Sequence, residues 1–394
     1  MGFRFLLPLL FASLSFAQQP PARQHETHPH EGGFMQGGMH HEIAKGVVLE
    51  AKTDAASHNV TLRVGPMNLP ADTSHMKMPQ PADLIWSIPM SGWLLAYHPR
   101  LVDSAGNTVP GTVLHHVAFW NENRSDFLCP NKDEHIFGAG GELTDWTPIP
   151  GFGYRVEKGD RIRVETMIHN PTATSYEKVF LEISIPYLDD ASPAPVKNFY
   201  PAWMDVAGCG GSGYDLPAGA SKKTGTVPIK YSGILLGVGG HMHDYGQQLI
   251  LEISSLSAPE AAASKPDVST PVASKSEGAN AGVSKAQETE VSGKRKEVAV
   301  LSAKVDAQGH LLEMPVVTFY QTGGYAFTAG DTLTVTSTYN NRTGKLLRDG
   351  AMGIVVGYFV PQDPAALASL RHPAKGTSQE AHGHHVMSQM PPDH

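Results

Sequence analysis

Short apolar runs, closely punctuated by turn formers, constrain this chain more than any other feature. Its 394 residues include 40 Gly and 30 Pro, and runs rich in Val, Ile, Leu, Tyr and Thr lie between them. Residues 60–64, 94–98, 113–120, 161–168, 179–185, 233–238, 249–253, 298–305, 332–339 and 353–360 read as strands. Amphipathic helical periodicity is scarce. Such a chain buries its apolar faces by stacking sheet on sheet, so the expected fold is all-β, built as sandwiches.

The chain starts with the basic Met1-Gly2-Phe3-Arg4 and continues apolar to Ser15-Phe16-Ala17, the pattern of a signal peptide over residues 1–17. That run is too short to be read as a spanning helix, and no later segment approaches the length a bilayer requires. The expectation is an exported protein, periplasmic or secreted, without a membrane partner. A net charge of −8 with no basic patch gives no sign of a nucleic-acid partner. The two cysteines, Cys129 and Cys209, can pair in an oxidising compartment; two buried, unpaired thiols are the alternative.

The length suits two domains of ordinary size, drawn here as 46–190 and 191–364. Residues 18–45 are rich in Pro, Gly, His and Met, and residues 257–296 form an Ala/Ser/Lys/Glu/Pro tract without an aromatic side chain. Neither can bury enough apolar surface to offset the entropy of ordering it. The tract at 257–296 separates two clean strands, which makes it an enlarged hairpin loop within the second domain. The tail 365–394 again carries His and Met, among them His382, His384, His385, Met387 and Met390. Thioether and imidazole suit the two copper oxidation states, so the disordered tails read as copper-gathering segments or, more plainly, as biased linkers.

Two histidine clusters stand inside the β-rich region: Leu114-His115-His116-Val117 and His241-Met242-His243. On a strand, residues i and i+2 share a face, so His241 and His243 can address one ion while Met242 points away. An adjacent His-His pair needs a bulge or a strand end to turn both rings toward one centre. Imidazoles alone do not distinguish copper, zinc, iron and nickel.

The surroundings of these clusters resemble the ascorbate-dependent copper type II monooxygenases, the family of peptidylglycine α-hydroxylating monooxygenase and dopamine β-monooxygenase. His98-Pro99-Arg100 through Val113-Leu114-His115-His116 is similar to that family's first ligand strand and the turn before it. Gly151-Phe152-Gly153-Tyr154-Arg155-Val156, followed by Val164-Glu165-Thr166-Met167-Ile168-His169, resembles its run into a third histidine. Gly239-Gly240-His241-Met242-His243-Asp244-Tyr245-Gly246 resembles the His-x-His strand, with Phe319-Tyr320 and Gly330-Asp331-Thr332-Leu333 after it. Asn341-Arg342-Thr343 and Gly350-Ala351-Met352 look like the approach to the family's methionine ligand.

The resemblance implies two consecutive jelly-roll-type β-sandwich domains, each carrying one copper on facing surfaces. One copper would be held by His115, His116 and His169, and the other by His241, His243 and Met352. The second centre would bind O2 and act on a C–H bond of a small organic substrate; the first would store and deliver an electron. Ascorbate or another exported donor would supply the electrons. A thioether beside two imidazoles favours Cu(I) and disfavours zinc. Because copper needs neutral imidazoles, activity is expected to fall as pH drops through the ordinary histidine range, about 6.5.

The chain departs from the peptide-amidating members. Gly239 stands where they carry a basic residue, and Gly353-Ile354-Val355-Val356 stands where they carry polar groups for a peptide carboxylate. A buried carboxylate without a cation is costly, so a neutral or apolar substrate is expected. The strongest rival is a non-catalytic exported copper-binding or delivery protein using the same ligands and tails. A glycan amidase or binding module would need a carboxylate pair, with Asp205, Asp215 and Asp244 as candidates. A three-histidine zinc hydrolase would leave the second cluster and the methionine unexplained.

Overall fold

Alternation of apolar and polar residues becomes sheet in the computed structural model, which describes residues 42–143, 145–192, 196–211, 213–255 and 295–373. The expected signal peptide, nearly all of 18–45, almost all of 257–296 and the tail beyond 373 lie outside the described residues. Twenty-four strands and four 3-10 turns make up the regular structure of the described residues, so the all-β expectation holds. All of them fall within one compact unit, Phe34–His394.

In the N-terminal half a seven-stranded sheet and a four-stranded sheet share one core. The strand Asn59–Leu69 pairs with Tyr176–Asp189 and sets Val60 opposite Ile185, Leu62 opposite Ile183 and Val64 opposite Leu181. All six side chains are buried in that core, the cross-strand packing that stabilises an antiparallel pair. The four-stranded sheet runs in the order Leu84–Ser87, Arg161–Ile168, Leu114–Ser125, Asp133–Gly140. Its strand Leu114–Ser125 is buried on both faces along most of its length, which is why residues 113–120 read as a nearly unbroken apolar run.

The C-terminal half repeats the plan. Tyr200–Asp205, Gly353–Pro361, Gly233–Met242 and Val317–Thr318 lie in that order, with Tyr325–Phe327 also on Gly233–Met242. A four-stranded sheet of Gly219–Pro228, Thr332–Asn341, Gly246–Ser254 and Lys296–Ser302 covers one face. The strand Gly353–Pro361 serves both cores. Val355 and Phe359 point into the C-terminal core, while Ile354, Val356 and Tyr358 join the N-terminal one, as the two-residue period of a strand dictates. Cys129 and Cys209 form a disulfide with Cα atoms 5.5 Å apart, tying the loop after Leu114–Ser125 to the chain after Tyr200–Asp205.

Two expected strands are corrected. Residues 298–305 are divided between Lys296–Ser302 and Lys304–Val305, with Ala303 between them. Residues 94–98 are not continuous: Gly92–Leu94 and His98–Val102 are separate strands. Between them Tyr97 leaves the sheet and exchanges backbone hydrogen bonds with Trp146, at 3.0 and 3.1 Å. The strand Gly219–Pro228 went unread because its alternate, solvent-facing residues include Lys222, Thr224 and Thr226 and its other face is largely Ser221, Lys223 and Gly225.

Candidate metal centre

The His-His pair sits where geometry required it. In the pairing of Leu114–Ser125 with Arg161–Ile168, Leu114 faces Ile168 and His116 faces Met167, so His115 occupies a bulge at the strand's first turn. The bulge brings the two rings to 5.3 Å, 41° apart in plane. His169 follows directly on Arg161–Ile168, its backbone N–H donating to Val113 O at 3.1 Å. Asn170 locks the turn beyond: its amide donates to Leu69 O at 2.9 Å and Thr174 O at 2.8 Å, and its oxygen accepts from Thr172. The His169 ring lies 5.0 Å from that of His115.

His241 and His243 close the strand Gly233–Met242, with Met242 buried in the C-terminal core between them. Their rings are 5.5 Å apart. Tyr339 fixes the local backbone. Its hydroxyl accepts from the N–H of His243 at 3.0 Å and of Met352 at 3.1 Å, and donates to the Met352 carbonyl. One buried phenol thus sets His243 and Met352 in register. His241 is oriented from the other half: its Nδ1 lies 3.2 Å from Glu142 Oε1, which also accepts from Gly140 N at 2.8 Å. Gly140 is required for this approach, since a Cβ there would lie 2.5 Å from His241 Cε1.

The imidazoles converge across the halves. The ligand atoms of His115, His116 and His243 lie within 4.8 Å of one another, as do those of His75, His115 and His169. The His115 and His243 rings are 4.4 Å apart, closer than the neighbours His115 and His116. The structure thus groups His243 with the first cluster, and it sets His116, His241 and Met352 along one cleft. His75, outside the residues the sequence singled out, stacks on His115 at 4.4 Å. It sits in a 3-10 turn, where neither strand nor helix periodicity marks a site.

Burial governs the charge state. His115 and His243 are held well below the usual imidazole range by burial and then by neighbouring histidines, and His169 is pushed down to about 4 by burial first. The expectation of titration near 6.5 is therefore corrected for these three: they are neutral to lower pH. Burial alone would raise the Glu142 carboxyl, but His241 and the hydrogen bonds it accepts hold it below the usual range. His115 Nε2, His241 Nε2 and both ring nitrogens of His243 are buried without a hydrogen-bond partner. Leaving a buried polar atom so costs about 1–3 kcal/mol. Neutral, converging, unsatisfied imidazoles fit a metal ion, and the thioether of Met352 nearby fits copper.

Beside these nitrogens is a small apolar cleft, partly open to solvent, lined by Trp146, Trp203, Ile354 and Val356 together with His241 and Met352. His135 lies in it between Trp120, at 4.1 Å, and Trp203, at 3.4 Å. The three aspartates an amidase would need are spent separately: Asp205 caps Ala207 N, Asp215 pairs with Arg348, and Asp244 accepts from Leu311 N.

No protein-family model matches this chain. Over 148 residues it is 26% identical to the "probable copper-dependent oxygenase M1" of Phoma sp., a match covering 34% of this chain and 36% of that protein. The chain thus matches about a third of that relative's length. Among solved structures, a chain of the cryo-EM structure of Broad Bean Stain Virus is 10% identical with a TM-score of 0.28, covering 83% of this chain and 93% of that one. That likeness is too loose to carry an argument. The oxygenase similarity and the histidine groups together point to copper binding and to an oxidoreductase at the level of a distant relationship.

Proposed function

We propose that this chain is an exported copper-dependent monooxygenase that hydroxylates a C–H bond of a small neutral or apolar organic substrate, using O2 and ascorbate or a similar donor. The observation that carries the reading is the convergence of His115, His116 and His243 from two sandwiches, with buried nitrogens of His115 and His243 unsatisfied, beside an apolar cleft. Two coppers per chain are proposed, with His115 and His169 central to one and His241, His243 and Met352 to the other. Each sandwich, of jelly-roll type, forms one domain. The disulfide is in keeping with an oxidising compartment.

Bound copper supplies oxygen activation and electron storage. The chain's own residues do the rest. Glu142 holds His241 by Nδ1, a carboxylate–histidine arrangement that fixes the ring and would leave Nε2 to hold copper. Trp146, Trp203, Ile354 and Val356 offer an apolar substrate a dry surface and exclude water from it. A Cβ at Gly239 would lie 3.0 Å from the Trp146 ring, so a basic side chain like that of the peptide-amidating enzymes would press on Trp146 and need that ring to give way. A carboxylate-bearing substrate would enter the cleft without a cation.

Oxygen uptake tests the reading. Copper-loaded protein with ascorbate should consume O2 in proportion to a hydroxylated product when offered neutral aromatic or aliphatic compounds. Tight copper binding without substrate-coupled uptake would instead mark a copper carrier. The lined apolar cleft against the ligands argues for turnover, since a carrier has no use for it.

A further inference from the structure

We propose that His75 is a copper ligand, completing with His115 and His169 the centre in the N-terminal half; this rests on the copper reading above. Three observations carry it. First, the ligand atoms of His75, His115 and His169 already lie within 4.8 Å of one another. Metal–imidazole bonds of about 2.0–2.1 Å set two nitrogens on one ion up to about 4.2 Å apart, so the nitrogens must draw closer and the stacked rings of His75 and His115 must tilt for their in-plane lone pairs to meet on one ion. No such three-way grouping joins His116 to His115 and His169 among the described residues; His116 groups with His115 and His243 and faces the cleft with His241 and Met352.

Second, the turn that bears His75 is built rather than loose. On one side of it, Thr73 and Asn170 exchange backbone hydrogen bonds, each at 2.8 Å. On the other, the buried Gln80 side chain bolts the turn to the strand that delivers His169. Its amide nitrogen donates to His75 O at 3.0 Å, Met78 O at 3.1 Å and Ile168 O at 3.0 Å, and its oxygen accepts from Ile168 N at 2.8 Å. Met78 is buried in the N-terminal core. Both flanks of His75 are therefore referenced to the residues either side of His169.

Third, the ring itself is placed. It lies parallel to that of His115, 16° in plane and 4.4 Å away. His115, His169 and His75 each keep some residue exposure, while Nε2 of His75 and of His115 is itself buried, inside the set. The three come from a 3-10 turn, a strand bulge and a strand end, three backbone breaks in one place, where rings are free of the two-residue alternation of a sheet.

The test uses the full chain, because copper on the His/Met tails does not stabilise the folded core. His75→Phe keeps a flat ring on His115 and removes the nitrogens; His75→Asn removes the ring. Copper alone is the probe. Its effects are read as the copper-induced rise in Tm and as residue-resolved protection of His115 and His169 from imidazole-modifying reagent, by mass spectrometry. In wild-type protein copper should raise Tm and protect His75, His115 and His169 together. Both variants should keep the metal-free Tm within a few degrees. They should also need on the order of ten- to a hundredfold more copper for the same protection of His115 and His169. Protection of His115 and His169 at wild-type copper concentrations in either variant overturns the assignment while leaving the copper reading intact. A wild-type protein whose Tm and histidines do not respond to copper overturns both.

Discussion

Replacing Tyr339 by Phe removes one hydroxyl and tests whether a single phenol holds the second ligand cluster in register. That hydroxyl accepts two backbone N–H groups, of His243 and Met352, and donates to the Met352 carbonyl, all in buried surroundings. Burial keeps the phenol protonated, its pKa far above the usual tyrosine value, so the donor is present at any working pH. The substitution leaves three buried polar groups short of a partner at about 1–3 kcal/mol each, and local backbone shifts recover part of this, so about 3–5 kcal/mol is expected. Out of a typical total of about 5–15 kcal/mol that is a large loss, readable by urea unfolding of the metal-free protein. Copper-loaded protein should show a second effect, weaker binding at His243 and Met352, because both lose their common anchor. A Tyr339→Phe protein within about 1 kcal/mol of wild type, with unchanged copper affinity, would refute the reasoning, since lost buried hydrogen bonds cannot be that cheap.

Glu142→Ala frees the His241 ring and should weaken copper binding about ten- to a hundredfold in a chelator competition, and an unchanged competition curve would mean that Glu142 only fills space. The pH dependence follows from the depressed imidazoles: with folded pKa values below the ordinary 6.5, the unfolded chain binds more protons beneath that pH. Stability of the metal-free protein is therefore complete above about 6.5 and is lost as pH falls toward 4, the value for His169. Urea midpoints across that window should slope for wild type and slope less steeply in His169→Gln, where His115 and His243 still contribute; a flat wild-type profile contradicts the burial argument. Replacing Cys129 and Cys209 by Ser opens a loop of 80 residues and should cost about 4 kcal/mol in the chain-entropy view. Two alkylatable thiols in the non-reduced protein would show that the bond does not form.

Much of the fold was legible because strand period is written directly in side-chain polarity. Residues 161–168 and 353–360 matched their strands closely, the first alternating Ile162, Val164 and Ile168 with Arg161, Arg163 and Glu165 and the second serving two cores. The bulge at His115 was legible too, since adjacent histidines cannot otherwise share a centre. What escaped the sequence were residues whose role is set by contacts between distant segments. His75 lies in a turn without periodicity, Glu142 in a Gly-rich connection, and Tyr339 looks like any apolar strand residue until its hydroxyl meets His243 and Met352. The convergence of His243 on His115 was equally hidden, because it depends on how the two sandwiches meet. Strand 94–98 was misplaced for a similar reason: Trp146, far along the chain, draws Tyr97 out of the sheet.

Anomalous diffraction at the copper edge, on crystals of the copper-loaded protein, tests the central reading most directly. Density is expected at two positions, one among His75, His115 and His169 and one among His241, His243 and Met352, with His116 between them. Copper density confined to the surface, or a zinc edge at these histidines in protein isolated from its native compartment, would contradict it.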